Sequence, residues 1–212
     1  MRYAMTVDLQ RCIGCSACAV ACKAENEVPD GVARLVVRKV QTDAYPASRI
    51  KPLPVMCSHC EAAPCIPVCP TGALARRPDG IVDLNKSKCI ACGACMPACP
   101  FDALFFNPVT KTADKCSFCA HRVDDGLLPA CVPVCPTDAI GFLDTDDARD
   151  RAELARKGAA ATRHPDRGAE PQVFYTGGDE TLLSGRAGSS LPAWGPGGPL
   201  RAHHGTHRPH GG

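Results

Sequence analysis

The chain has 212 residues, a formal net charge of +2 and 5% aromatic residues, set against 19 glycines, 20 prolines and 16 cysteines. Near-neutral charge argues against a nucleic-acid partner, no apolar run reaches the length of a membrane span, and so few aromatics leave little for a conventional oily core. The size allows one or two domains, and Met1-Arg-Tyr-Ala-Met5 passes straight into a predicted strand, so neither an export signal nor an anchor is expected.

In chain order, a strand ending at Val7-Asp8-Leu9 leads into a first cysteine group, Cys12, Cys15, Cys18 and Cys22, spaced C-x2-C-x2-C-x3-C. Lys23 follows, and the helix that carries Cys22 is predicted to run on through Ala24 and Glu25. Residues 33–41 are rich in β-branched side chains and predict a connecting strand. The second group is Cys57, Cys60, Cys65 and Cys69, with a longer loop before its third member. Val82-Asp83-Leu84 repeats the first strand signature and precedes the third group, Cys89, Cys92, Cys95 and Cys99, which has the spacing of the first. The fourth group is Cys116, Cys119, Cys131 and Cys135. Pro70, Pro100 and Pro136 follow the last cysteines of groups two to four and favour an extended cysteine that ends the helix before it. The following segments also repeat: Cys69-Pro-Thr-Gly-Ala-Leu74, Cys99-Pro-Phe-Asp-Ala-Leu104 and Cys135-Pro-Thr-Asp-Ala-Ile140. Each unit reads as strand, cysteine loop, short helix, strand. Acids at 144–147 and Gly158 predict a helix over 146–157, and Pro171 to Thr176 a last strand. From Gly177 the composition is that of a mobile tail, and His203, His204, His207 and His210 read as solvated low-complexity sequence rather than a metal site.

Three thiolates within seven residues can reach three corners of one iron–sulfur cube if the backbone curls tightly, and Gly14 and Gly93 ease that curl. A cysteine four residues further along a helix points away, toward a second cube, so such sites come in pairs. Cysteines bunched this closely in a chain of this length are a poor disulfide framework. Zinc takes two C-x2-C pairs from separate knuckles and leaves no role for a third cysteine close by. One thioredoxin-like pair does not account for sixteen cysteines.

Four groups in this order, together with Cys57-Ser-His-Cys60-Glu61, Pro64-Cys65, Cys119-Ala-His-Arg122, Gly126 and Pro129-Ala-Cys131, resemble the iron–sulfur (beta) electron-transfer subunits of the molybdopterin oxidoreductase (dimethyl sulfoxide reductase) superfamily. The resemblance covers residues 3–145, with Pro171 to Thr176 as a weaker outlier, and Arg2 to Pro29 is most similar to polysulfide/thiosulfate-type members. It implies an α+β fold of two bacterial-ferredoxin-like modules, each binding two [4Fe–4S] clusters, with a C-terminal extension. Residues 1–32 and 110–145 would form an outer module and 33–109 a connecting strand and inner module, followed by an extension at 146–176 and a tail at 177–212. The implied ligand sets are Cys12, Cys15, Cys18 and Cys135 for the first cluster and Cys22, Cys116, Cys119 and Cys131 for the second. Cys57, Cys60, Cys65 and Cys99 would hold the third, and Cys69, Cys89, Cys92 and Cys95 the fourth.

The implied role is electron relay, without catalysis on this chain, between a hydrophobic quinol-handling membrane subunit and a molybdopterin-containing catalytic subunit, the complex acting on a sulfur compound. Location would be at the membrane through a partner, with the periplasmic face, reached by co-export, favoured over the cytoplasmic one. His59 and His121 are read as supporting rather than ligating residues, and Lys88, Lys115 and Arg122 as surface or packing residues or as cations that offset cluster charge. A free-standing soluble polyferredoxin and a colourless zinc-held scaffold are the competing readings.

Overall fold

The structure, a computed structural model, describes residues 1–43, 46–157, 168–178 and 180–183. Its elements in chain order are β1 (Tyr3–Asp8), α1 (Ala17–Glu25), β2 (Leu35–Thr42), β3 (Arg49–Met56), β4 (Leu74–Arg76), β5 (Val82–Leu84), α2 (Cys95–Ala98), β6 (Phe105–Asn107), β7 (Thr112–Asp114), α3 (Ala120–Asp124), β8 (Ile140–Asp144), α4 (Ala148–Arg156), β9 (Val173–Thr176) and α5 (Glu180–Leu183).

Strand β1 pairs antiparallel with β8, from Tyr3 opposite Asp144 to Val7 opposite Ile140, and parallel with β9. This pairing sets the segment before the first cysteine group beside the segment after the fourth. Gly141 is required there, because a Cβ would lie 2.5 Å from Thr6 Oγ1, its partner across the ladder. The two short hairpins link consecutive groups: β4 with β5 joins the second group to the third, and β6 with β7 the third to the fourth.

The connecting strand predicted at 33–41 is β2, but nothing in the sequence pattern announces its partner β3. Pro52 and Pro54 argue against a strand, yet in a two-stranded ribbon each strand has a free edge on which the missing N–H costs nothing. The helix predicted at 146–157 spans Ala148–Arg156, started by Asp147, whose carboxylate accepts the Arg149 N–H at 2.7 Å. The repeat predicts a short helix before every fourth cysteine. Such helices occur before Cys22 and Cys99, whereas in the second and fourth groups single turns such as Cys69 N–H to Ile66 C=O replace them. Pro67 and Pro133 sit inside those turns at the position that Pro97 takes inside α2, so the proline does not distinguish the two forms. Within the stretch expected to be a tail from Gly177, α5 buries Leu182 and Leu183 in the core; residues 184–212, with the four histidines, lie outside the described residues.

Two apolar clusters form the core, and both contain cysteines. Met5, Val7, Leu35, Phe118 and Tyr175 pack with Cys18, Cys22, Cys57, Cys116 and Cys131. Leu74, Val82, Phe101 and Leu104 pack with Cys60, Cys65 and Cys95. The extension is part of this body: the Gln172 N–H donates to Ser58 C=O, and the Glu61 and Ala62 N–H groups donate to Glu170 and Ala169 C=O. Among the described residues no helix is long and apolar enough to cross a membrane.

The Tyr175 hydroxyl donates to Pro54 C=O at 2.8 Å in a buried setting, tying the extension to the β2–β3 ribbon. Tyr175→Phe leaves that carbonyl unpaired and should cost about 1–2 kcal/mol, a drop of a few degrees in thermal midpoint of the cluster-loaded protein.

Candidate metal centres

Each group begins with a C-x2-C turn, and the residue just before its second cysteine has a positive φ in all four: Gly14 (72°), His59 (43°), Ala91 (59°) and Phe118 (50°). A left-handed residue there reverses the chain so that two sulfurs face the same space. Glycine meets the requirement freely at Gly14, whereas the other three loops hold side chains in a conformation that L-residues disfavour. Gly93, expected to ease the curl, is also left-handed, at 76°, one residue after Cys92.

The sixteen thiols, all free, gather into four sets, and no set is a single sequence group. Cys12, Cys15 and Cys18 meet Cys135 around one cavity, Cys57, Cys60 and Cys65 meet Cys99 around a second, and Cys89, Cys92 and Cys95 meet Cys69 around a third. Cys116, Cys119 and Cys131 approach Cys22 closely enough that each charge opposes the next. Each of the three cavities is small and walled by its four cysteines and adjoining apolar residues. Among the described residues no three His, Cys, Asp or Glu side chains converge on a point that a single ion could occupy. Sulfurs arranged around a space suit a cube with its own bridging sulfides, not a closed tetrahedral zinc site.

Exposure separates the sets. Cys15 and Cys92 are exposed, while Cys22, Cys116, Cys119 and Cys131 are all buried, as are Cys57, Cys60 and Cys65. Burial pushes the Cys18 thiol up to about 11 and those of Cys22 and Cys65 to about 12, and raises Cys60, Cys116 and Cys131 as well. A bound metal must supply what water would otherwise give these thiolates.

Two fourth cysteines behave differently, and the reason explains the repeat that follows them. Burial raises Cys69 and Cys135, but N–H groups outweigh it: Leu74, Thr71 and Ala73 at Cys69, and Thr137, Ala139 and Ile140 at Cys135, bring both thiols below their ordinary value. The Ala139 N–H lies 3.2 Å from Cys135 Sγ. The Cys-Pro-Thr-x-Ala repeat is thus a thiolate cradle. Cys22 has no proline and no such cradle. Instead Asn26 Nδ2 stands 3.8 Å from both Cys22 Sγ and Cys119 Sγ, steered by Arg34 Nη1 at 2.6 Å from its Oδ1. Arg34 is itself held by buried Asp114 at 2.8 Å. Neither Asn26 nor Arg34 carries a motif signal.

Neither singled-out histidine adds a ligand to the four sets. His59 is fully buried, accepts the Val82 N–H at Nδ1 (3.0 Å) and stacks on Phe118 with ring centroids 3.7 Å apart; its Nε2 has only a looser approach to the Cys116 backbone. His121 is exposed and shares Glu25 with Arg122 (2.8 and 3.0 Å), which ties α3 to α1 and, through His121 first, holds the Glu25 carboxyl below its usual value. Gly126, in the left-handed region, ends α3 while the Leu127 N–H returns to Arg122 C=O. Arg76 donates to the Cys60 and Glu61 carbonyls and secures the second loop. A groove lined by Lys23, Arg38, Met56, Phe101 and Phe105 contains no cysteine.

Residues 49–145 and 11–74 match two families, each described as a 4Fe-4S dicluster domain. The fold and its cysteine sets therefore define an iron–sulfur protein with two dicluster domains of ferredoxin type. A tetrathionate reductase subunit of Salmonella typhimurium is 42% identical over 91% of this chain and 79% of its own length. The arsenate respiratory reductase iron-sulfur subunit ArrB of a Shewanella species is 32% identical over 82% and 96%, and the thiosulfate reductase electron transfer subunit PhsB of Salmonella typhi 48% identical over 61% and 69%. The chain belongs to the iron–sulfur electron-transfer (beta) subunits of the molybdopterin oxidoreductase superfamily, and two dicluster domains with sixteen cysteines fit four [4Fe–4S] clusters.

Ala91 is exposed and left-handed at the position Gly14 occupies in the first loop. Ala91→Gly should stabilise the third loop by about 0.5–1 kcal/mol, read as slower loss of cluster absorbance during anaerobic heating.

Proposed function

We propose that this chain is the electron wire of a respiratory molybdopterin oxidoreductase, and the graded exposure of its four cysteine sets is the observation that carries the reading. Cys12, Cys15, Cys18 and Cys135 hold the first cluster; Cys22, Cys116, Cys119 and Cys131 the second; Cys57, Cys60, Cys65 and Cys99 the third; Cys69, Cys89, Cys92 and Cys95 the fourth. When bound, the clusters supply reversible one-electron chemistry. Residues 1–32 with 110–145 make the outer module and 33–109 the inner one, two clusters each, a division supported by the β1–β8 pairing.

The protein's own residues decide where electrons enter and leave. The middle sets are shielded, which keeps water and solution oxidants away, while each outer set offers one exposed cysteine. Apolar side chains stand exposed beside those two ends: Ile13, Val20 and Val134 near the first set, Ile90 and Val68 near the fourth. Such residues favour docked partners over free diffusion, because a bare apolar rim gains by being covered. The partners are a molybdopterin-containing catalytic subunit at one end and a hydrophobic quinol-handling membrane subunit at the other. The complex acts on a sulfur compound, as the names of the tetrathionate and thiosulfate relatives suggest. This chain then sits at the membrane through its partners, on the periplasmic face.

Anaerobic purification from native membranes, with iron and molybdenum assayed and co-purifying chains identified, tests the assembly. A molybdenum-bearing large chain and a hydrophobic chain are the expected companions; recovery of this chain alone, soluble and iron-loaded, would instead make it a free polyferredoxin. Cys92→Ser should remove or convert one cluster, lowering iron content and interrupting turnover of the complex. Unchanged iron and turnover would sink the assignment of Cys92.

A further inference from the structure

Three cations near ligating cysteines sit in different surroundings. Lys88 is exposed and solvated. Arg122 is neutralised by Glu25 and also donates to Leu128 C=O at 2.9 Å. Lys115 is 2% exposed, and its Nζ donates to two neutral carbonyls, those of Val82 and, at 2.9 Å, Cys116. Among the described residues no carboxylate pairs with it. The adjacent Asp114 is taken up by Arg34 at 2.8 Å, Asn107 at 3.0 Å and Lys86 at 3.6 Å. A buried ammonium without a counter-ion is costly and calls for negative charge nearby.

The negative charge nearby is sulfur. Val82, the acceptor of one Lys115 bond, lines the cavity of Cys57, Cys60, Cys65 and Cys99, and it also donates its N–H to His59, a second wall residue of that cavity.

The geometry points to Lys115 as the buried counter-charge of the site formed by Cys57, Cys60, Cys65 and Cys99, a positioning residue that raises the potential at which that site accepts an electron. The inference rests on the ligand assignment proposed above. Reduction adds one negative charge to the site, and a fixed cation held close by two carbonyls stabilises the reduced form more than the oxidised one. Placed on an interior site, this cation makes one of the shielded steps a favourable resting place for the electron, which separates its potential from that of a neighbouring site in a similar thiolate shell.

The test is an EPR-monitored redox titration of the full-length, cluster-loaded protein with Lys115→Gln, Lys115→Met and Lys115→Arg. Glutamine keeps N–H donors for the carbonyls and loses the charge; arginine keeps the charge. In the neutral variants one of the four midpoint potentials should shift to a more negative value with iron content unchanged, and Lys115→Arg should stay near the wild type. Lys88→Met, the exposed control, should leave all potentials in place. Wild-type potentials in iron-replete Lys115→Gln or Lys115→Met would overturn the inference and leave Lys115 as a structural tie between β5 and the fourth group. Iron loss in both neutral variants with retention in Lys115→Arg would uphold the counter-charge role, and loss in all three would overturn it. Failure of the ligand assignment itself would show separately, as wild-type protein with fewer than four clusters.

Discussion

Everything in this protein answers to one constraint: sulfur must be gathered and kept as thiolate where water is scarce. Burial alone drives most of the set thiols toward protonation. Two remedies are built into the chain. Backbone N–H cradles serve Cys69 and Cys135, and a side-chain substitute, Asn26 under Arg34, serves Cys22 and Cys119. The metal centres themselves supply the rest. Because the two apolar clusters are interleaved with cysteines, the centres and the core are one object, and folding is bound up with cluster assembly.

The strands act as clamps more than as a scaffold of their own. Most are three to six residues long, too short to stand alone, and each pairing fixes a relation between cysteine groups far apart in sequence. The β1–β8 ladder closes the first group on the fourth, and the extension closes the second loop from Ala169 to Gln172 before joining β1 as β9. Backbone strain is concentrated in the cysteine turns, where Ala91, His59 and Phe118 take a conformation that Gly14 adopts freely. His59 and Phe118 then use that placement to stack between the second and fourth groups.

Charge is distributed with the same economy. Polar side chains nearer the surface, such as His121, Arg122 and Glu25, join helices and are paired among themselves. Buried ions follow another rule: Asp114 gathers Arg34, Lys86 and Asn107, while Lys115 beside it is left to carbonyls and to the sulfur-lined cavity. Two adjacent residues of opposite sign thus serve different neighbours.

Much of the chemistry is legible in the chain itself. Spacing such as Cys12-x2-Cys15-x2-Cys18 is local, and a local turn can be read from consecutive residues. The same holds for α4, whose cap and acids are contiguous, and for the strand signatures Val7-Asp8-Leu9 and Val82-Asp83-Leu84. The β3 strand is hidden because Pro52 and Pro54 speak against a strand until an edge is available to tolerate them. α5 is hidden because two leucines in a Gly-rich stretch have meaning only once β2 offers a surface. Asn26 and Arg34 carry no motif, since their role depends on residues more than eighty positions away. The sequence determined that sixteen thiols stand in four groups whose number and spacing fit four iron–sulfur clusters. Only the tertiary structure decided which thiol from a distant group completes each set and which sets are buried, because strand pairing and packing, not spacing, bring Cys135 to Cys12 and shield Cys116 from water.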